Sequence, residues 1–270
     1  MPRPIPTVTS VMWHPNPELR SRWLMEYGKD RFSFEEAREA QTFPEWWEFP
    51  ESKTKRWKWL GEAFPPKVAD HLLSRFLSGS GYVLLDLFAG IGGWGLGAAM
   101  SGRFSKVVMV EWEREKCDYL RRNFSRLGIQ YEVLCDDVRN LAPIKADVVT
   151  ASPPCEDLTV LKHFRYNKTN YGTIPLTIHT VEYVRDVNPV IAFYENVYRK
   201  LLADLLRRSG WVVERYDMSV IIPQKRVRLV AFYMPDLLPA LKGGQIPNRS
   251  SIDRIYKFQL YTFSGGAPER

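Results

Sequence analysis

Short apolar, β-branched runs alternate with amphipathic stretches from position 82 to position 233. That alternation is the pattern of a mostly parallel sheet covered by helices. The spacing predicts strands at 82–88, 106–111, 130–134, 146–151 and 190–194. Between 114 and 127, Cys117, Leu120, Phe124 and Leu127 fall on one helical face, which makes Cys117 a core thiol, and Gly128 is placed to end the helix. Further helices are expected at about 176–187 and 198–209, the second closed by Gly210. Runs 211–220 and 227–233 leave no room for a helix between them and are expected to pair antiparallel, giving a mixed sheet with a reversed strand near its edge.

The first 60 residues have another texture, with six of the nine tryptophans (Trp13, Trp23, Trp46, Trp47, Trp57, Trp59) set among prolines and charges. Beyond Tyr233 the chain turns to Pro, Gly and Ser with scattered aromatics, the composition of a small irregular lobe. With 270 residues, 45% hydrophobic and 26% charged, the chain can bury a sizeable core, which excludes disorder. Lys and Arg outnumber Asp and Glu by 38 to 31; the net +7 favours a polyanionic partner, although a merely basic soluble protein carries the same charge. The three cysteines, Cys117, Cys135 and Cys155, lack metal-ligand spacing, and their odd number argues against a disulfide framework. No run approaches the ~18 apolar residues of a membrane span, and residues 1–6 lack a signal-peptide core. The expectation is a soluble cytoplasmic protein in a reducing compartment, without metal.

Gly90-Ile91-Gly92-Gly93-Trp94-Gly95 follows the first strand and satisfies G-x-G-x-x-G, a turn whose glycines let backbone approach a nucleotide-like ligand. Glu111 ends the next strand about twenty residues on, where a carboxylate can bind ribose hydroxyls; Asp137, after the third strand, can accept from an adenine amino group. A nicotinamide cofactor stays open, and so does a turn needed only for helix packing. Asp86, in the turn, suits the cationic S-adenosylmethionine better than a pyrophosphate.

Ser152-Pro153-Pro154-Cys155 emerges from the 146–151 strand, at the sheet edge where open α/β folds bind ligands. A buried apolar thiol is the commoner fate of a lone cysteine. Placed in this loop, however, Cys155 is the leading candidate nucleophile, for attack on a ring carbon. Glu195-Asn196-Val197 leaves the sheet at the same edge. In Gln224-Lys225-Arg226-Val227-Arg228, alternation sends Gln224, Arg226 and Arg228 to one face, and two guanidiniums there need acceptors such as a base carbonyl, a phosphate or Glu195.

These motifs, in this order over residues 82–230, resemble the cytosine-C5 DNA methyltransferase family. The resemblance implies a Rossmann-like, S-adenosylmethionine-dependent α/β fold, a mixed, mostly parallel sheet flanked by helices, with a small target-recognition lobe. It implies that Asp86, Phe88, Ala89, Gly90, Gly92, Gly93, Glu111, Trp112, Asp137, Val138 and Pro154 surround the cofactor, with Trp112 on the adenine. By the same resemblance Cys155 attacks C6 of a flipped cytosine, Glu195 supports protonation at N3, Arg228 binds O2, and Arg226 joins the catalytic group. Gln224 falls with Lys162, Arg165 and Lys168 of the basic, aromatic stretch 161–168 among residues expected at the nucleic acid.

Two family motifs stand out of order: residues 31–44 and 60–69 look like the penultimate and last, yet precede the cofactor strand. The chain therefore reads as circularly permuted, which adjacent termini allow. Expected domains are 1–56 and 234–270 in the recognition lobe, with 57–233 catalytic. Glu62, a further cofactor candidate, stands where the family usually has Asn, and Glu156 where Gln is usual; a carboxylate beside Cys155 would raise its pKa. Duplex DNA is the expected partner, with tRNA, a separate specificity or restriction subunit, and a binding protein without activity as the other readings.

Overall fold

The computed structural model describes residues 4–9, 12, 16–155 and 172–235. Four helices come first: α1 (Pro17–Tyr27), α2 (Phe34–Ala40), α3 (Lys53–Glu62) and α4 (Pro66–Phe76). Ser33 starts α2 with a reciprocal cap, accepting from the Glu36 backbone N–H while the Glu36 carboxylate accepts from that of Ser33. The alternating unit follows: β1 (Tyr82–Leu87), α5 (Gly93–Ser101), β2 (Phe104–Glu111), α6 (Arg114–Phe124), β3 (Gln130–Cys135), β4 (Val148–Ala151), α7 (Thr173–Val187), β5 (Ile191–Asn196), α8 (Lys200–Arg208), β6 (Val212–Asp217) and β7 (Val227–Tyr233).

The seven strands lie in the order β3-β2-β1-β4-β5-β7-β6. β1 to β5 pair parallel, and β7 runs antiparallel to both β5 and β6. The expected mixed sheet is therefore present, with the reversed strand one place in from the edge. Every residue of β4 and β5 is buried, as strands covered on both faces require. Alternation sends Leu84, Phe193 and Phe232 to one face, under α2 to α6, and Leu85, Ala192 and Ala231 to the other, under α7 and α8.

The N-terminal segment shares this core. Val8, Phe34, Phe43, Trp47 and Trp57 are buried in one cluster with Leu84, Val107 and Phe193. α4 lies directly on α5, because Gly93 and Gly97 leave room for it. A Cβ on Gly93 would come within 2.0 Å of the Phe64 carbonyl oxygen, and one on Gly97 within 2.4 Å of the Ala69 Cβ. Helix packing is thus one confirmed use of the glycine-rich turn.

The cysteines depart from expectation. Cys117 and Cys135 form a disulfide, with Cα atoms 5.9 Å apart, and Cys155 is free. An odd number of cysteines allows one bridge and one thiol, and α6 crosses β3 where the two residues meet. Cys117 is fully buried, as expected, but as half of that bridge.

Candidate active site

The parallel strands end together, and the turn after β1 starts the site. Phe88 takes φ 61° and Gly90 φ 58°. Nothing lies within 4 Å of where a Gly90 Cβ would stand, so this backbone is open to a ligand. Glu111, at the end of the neighbouring β2, is buried against the turn. One of its carboxylate oxygens accepts from the Gly90 N–H at 2.8 Å and the other from the Glu113 N–H at 2.9 Å. Burial pushes the Glu111 carboxyl up from its ordinary range, and the Lys116 ammonium pulls it back. Trp112 beside it is 60% exposed. Asp137 accepts from the Arg139 backbone N–H and guanidinium at 3.0 and 2.9 Å, and that bond holds it below the usual carboxylate range. Val138 and Ala89 are buried and Pro154 is exposed.

Asp86 is corrected. It is fully buried, with one oxygen accepting from the Thr150 hydroxyl at 2.9 Å, so it braces the turn from beneath and shows no surface to a ligand. Burial raises its pKa to about 7. Its second oxygen has no hydrogen-bond partner.

The loop carrying Cys155 leaves β4 and is held at two carbonyls. Asn196 at the end of β5 donates to the Pro153 oxygen at 2.9 Å, and Thr173 at the start of α7 donates to the Pro154 oxygen at 2.6 Å. Beneath it, Ser152 accepts from the Trp94 indole at 3.0 Å, and Trp94 stacks on Phe64 with ring centres 4.0 Å apart. Glu195, on β5, is 5% exposed and faces Arg228 of β7, whose Nε is 3.5 Å from the carboxylate. Burial raises the Glu195 carboxyl, against the pull of Arg228 and Arg226. The Cys155 thiol is also pushed up, by burial and by Glu195, with Arg228 opposing and Glu62 adding to the rise. Cys155, Glu195 and Arg228 thus sense one another at one edge of the sheet.

Arg226 and Gln224 are corrected too. Arg226 is 1% exposed and donates to the carbonyls of Val8, Gly61 and Ala63 at 3.3, 3.2 and 3.1 Å. Burial lowers its pKa to about 9. Gln224 is fully buried: it accepts from the Val8 N–H at 2.8 Å and donates to the Gln41 side-chain oxygen at 3.0 Å. Both, in the stretch that leads into β7, bond to the N-terminal segment and clamp it, Ile5 pairing with Gln224. Neither is exposed to a nucleic acid. Glu62 ends α3, paired with Lys58 at 3.7 Å and Lys116 at 3.6 Å. Lys162, Arg165, Lys168 and Glu156 lie outside the described residues.

Thr150, Ser152, Thr173 and Lys116 were missed from the sequence. Ser152 opens the quoted motif and Thr150 lies in the strand before it, both without a role read from them, and nothing in the pattern marks Thr173 as a brace for a loop it follows by nineteen positions. Among the described residues no group of three or more His, Cys, Asp or Glu could hold a metal, and no helix is long and apolar enough to cross a membrane.

A doubly wound sheet with a glycine-rich turn, a buried carboxylate beside it and a thiol at its carboxyl edge defines a Rossmann-like methyltransferase fold. The chain belongs to the C-5 cytosine-specific DNA methylase family, whose sequence profile matches residues 7–78 and 82–206. It is 27% identical over 236 residues to the DNA (cytosine-5-)-methyltransferase M.ApeKI of Aeropyrum pernix, covering 65% of this chain and 49% of that protein. It is 26% identical over 167 residues to the type II methyltransferase M.PspPI of a Psychrobacter species, covering 55% and 38%. The chain thus spans about half the length, or less, of these relatives. A solved methyltransferase from Pyrococcus furiosus superposes with a TM-score of 0.47 and 17% identity, covering 63% of this chain and 82% of that one.

Proposed function

We propose that this chain transfers a methyl group from S-adenosylmethionine to C5 of cytosine in duplex DNA, with Cys155 as nucleophile. The observation that carries the reading is the meeting of Cys155 and Glu195, at the carboxyl ends of β4 and β5, with Arg228, at the start of the antiparallel β7. The residues present fit the cofactor: Gly90 leaves open backbone, Glu111 has lone pairs left for the ribose, and Trp112, assigned to the adenine, is exposed beside it. When bound, the cofactor supplies an electrophilic methyl group.

The protein's own part is to make C5 nucleophilic. The Cys155 thiolate adds to C6 of the cytosine while Glu195, whose hold on a proton burial strengthens, gives its proton to N3, and the former C5–C6 π pair becomes enamine-like. Arg228 is positioned to bind O2 and to favour the thiolate. After methylation, loss of the C5 proton and departure of Cys155 restore the ring. The base must leave the helix, because stacking shields C6.

The order of the motifs is read as a circular permutation, Leu60 to Phe76 providing the helix packing behind the cofactor turn. Residues 1–56 and 234–270 are assigned to target recognition. The test is transfer of labelled methyl to duplex DNA and, in parallel, to tRNA, beside Cys155→Ala. Label as 5-methylcytosine in DNA, lost in the variant while S-adenosylhomocysteine still binds, supports the reading. Label in tRNA alone moves the substrate to RNA, and turnover by Cys155→Ala overturns the nucleophile.

A further inference from the structure

Tyr194 is a fully buried tyrosine on β5, next to Glu195, and no step above uses it. Its hydroxyl oxygen lies 2.7 Å from the Thr177 hydroxyl of α7. Thr177 gives its single proton to the Thr173 carbonyl at 2.7 Å, so Tyr194 is the donor between them. Thr173 in turn donates its hydroxyl proton to the Pro154 carbonyl at 2.6 Å. On the other side of Tyr194, the Asn196 Oδ1 accepts from the Val197 N–H at 2.8 Å, which fixes which way the amide points. Its Nδ2 donates to the Pro153 carbonyl at 2.9 Å, with a longer contact of 3.5 Å to the Tyr194 oxygen. The circuit thus leaves the Cys155 loop at one carbonyl and returns to it at the next. Thr173, Thr177, Tyr194 and Asn196 are all buried, so water does not compete for these bonds.

We propose that Tyr194 is a positioning residue for methyl transfer: its hydroxyl joins the two braces of the Pro153-Pro154 pair into one unit, and so fixes Cys155 relative to Glu195. The inference rests on the reading of Cys155 as nucleophile above. Two prolines bring no N–H to the loop, so their carbonyls are the backbone polar atoms by which the pair can be held, and each meets a donor from this circuit. Along β5, alternation sends Tyr194 and Asn196 toward α7 and Glu195 to the opposite face, where Arg228 meets it. One strand therefore carries the proton donor on one face and the anchor of the nucleophile's loop on the other. Tyr194→Phe keeps the ring beside Trp211 and removes only the bridge between Thr177 and Asn196.

The experiment sets Tyr194→Phe beside the wild type, with Thr173→Val and Thr173→Ser as a second pair, each shown by circular dichroism to be folded at the assay temperature. The readouts are kcat and KM for methyl transfer to duplex DNA, calorimetric binding of S-adenosylhomocysteine, and iodoacetamide alkylation of Cys155 at pH 8. Tyr194→Phe is expected to cut kcat about tenfold while KM and S-adenosylhomocysteine affinity stay within about twofold, because the cofactor turn is untouched. Alkylation of the loosened Cys155 should rise several-fold. Thr173→Val should behave in the same way, and Thr173→Ser, which keeps the hydroxyl, should restore both rates. Lost stability alone would move neither rate in the folded protein and would not separate Ser from Val. Wild-type kcat or wild-type alkylation in Tyr194→Phe overturns the proposal. Should that variant fail to fold, equal rates in Thr173→Val and Thr173→Ser overturn it. Wild-type protein that methylates neither DNA nor tRNA overturns the functional reading instead. Alkylation needs no substrate and then decides alone: a rise in Tyr194→Phe supports the hold on Cys155, and an unmoved rate overturns it.

Discussion

At the residue scale, the nucleophile works against its surroundings. Cys155 is disfavoured as a thiolate by burial and by Glu195, and Arg228 opposes them. Its alkylation by iodoacetamide, followed by mass spectrometry at that cysteine, is expected to rise with pH through 9 and beyond. Glu195→Gln removes a negative neighbour and should speed alkylation several-fold at pH 8, whereas Arg228→Met should slow it by a similar factor. Identical profiles in all three proteins would separate these groups from Cys155. For methyl transfer Glu195→Gln acts in the other direction, because the proton for N3 is lost; a fall in kcat of roughly 100-fold or more is expected in single-turnover assays. A variant that alkylates faster yet methylates more slowly is the pattern that Glu195 as proton donor requires.

At the scale of elements, Gly93 and Arg226 decide how the N-terminal helices meet the sheet. Gly93→Ala drives a methyl into the Phe64 carbonyl and disturbs the Phe64–Trp94 stack under Ser152, so a loss of roughly 1–3 kcal/mol is expected in urea unfolding. Arg226→Met strips the donor from three buried carbonyls. Its unfolding free energy should fall by about 3 kcal/mol, and protease should cut residues 1–60 earlier than in the wild type. Wild-type resistance in that variant would mean the clamp is idle. The strands, their order of use and the thiol at the sheet edge were legible because period-two runs and glycine turns are local signals. The inward turn of Gln224 and Arg226 was not, since alternation says that they share a face and not what covers it. What covers it is a segment more than 150 positions earlier. The Cys117–Cys135 bridge was hidden for the same reason: it needs α6 to cross β3, which counting cysteines does not reveal.

For the molecule as a whole, stability and function pull on the same buried carboxyls. Asp86, Glu111 and Glu195 are all raised by burial, Asp86 to about 7 from 3.8. Each binds its proton more tightly folded than unfolded. The stabilisation they lend is therefore complete below the unfolded pKa and is lost as pH rises through the folded one. For Asp86 that window runs from about 4 to 7, and its full span corresponds to about 4 kcal/mol. Asp137 and Glu36 are lowered, so their loss falls at more acid pH, and Arg226, lowered to about 9, changes above the window. Glu214 is raised by burial as well, and His71, lowered by burial, runs against the trend, one group against four. The melting temperature of the ligand-free protein is accordingly expected to fall between pH 5 and 7.5. Asp86→Asn, which keeps an acceptor for Thr150, should flatten that slope by about one proton's worth. A wild-type melting temperature that rises across this interval, or an unchanged slope in Asp86→Asn, would show that Asp86 is ionised in the fold and that its second oxygen has found a donor. The same measurement separates the role of Asp86 beneath the turn from that of Glu111 at its rim, since S-adenosylhomocysteine added at pH 7 should stabilise Asp86→Asn and lose that effect in Glu111→Gln.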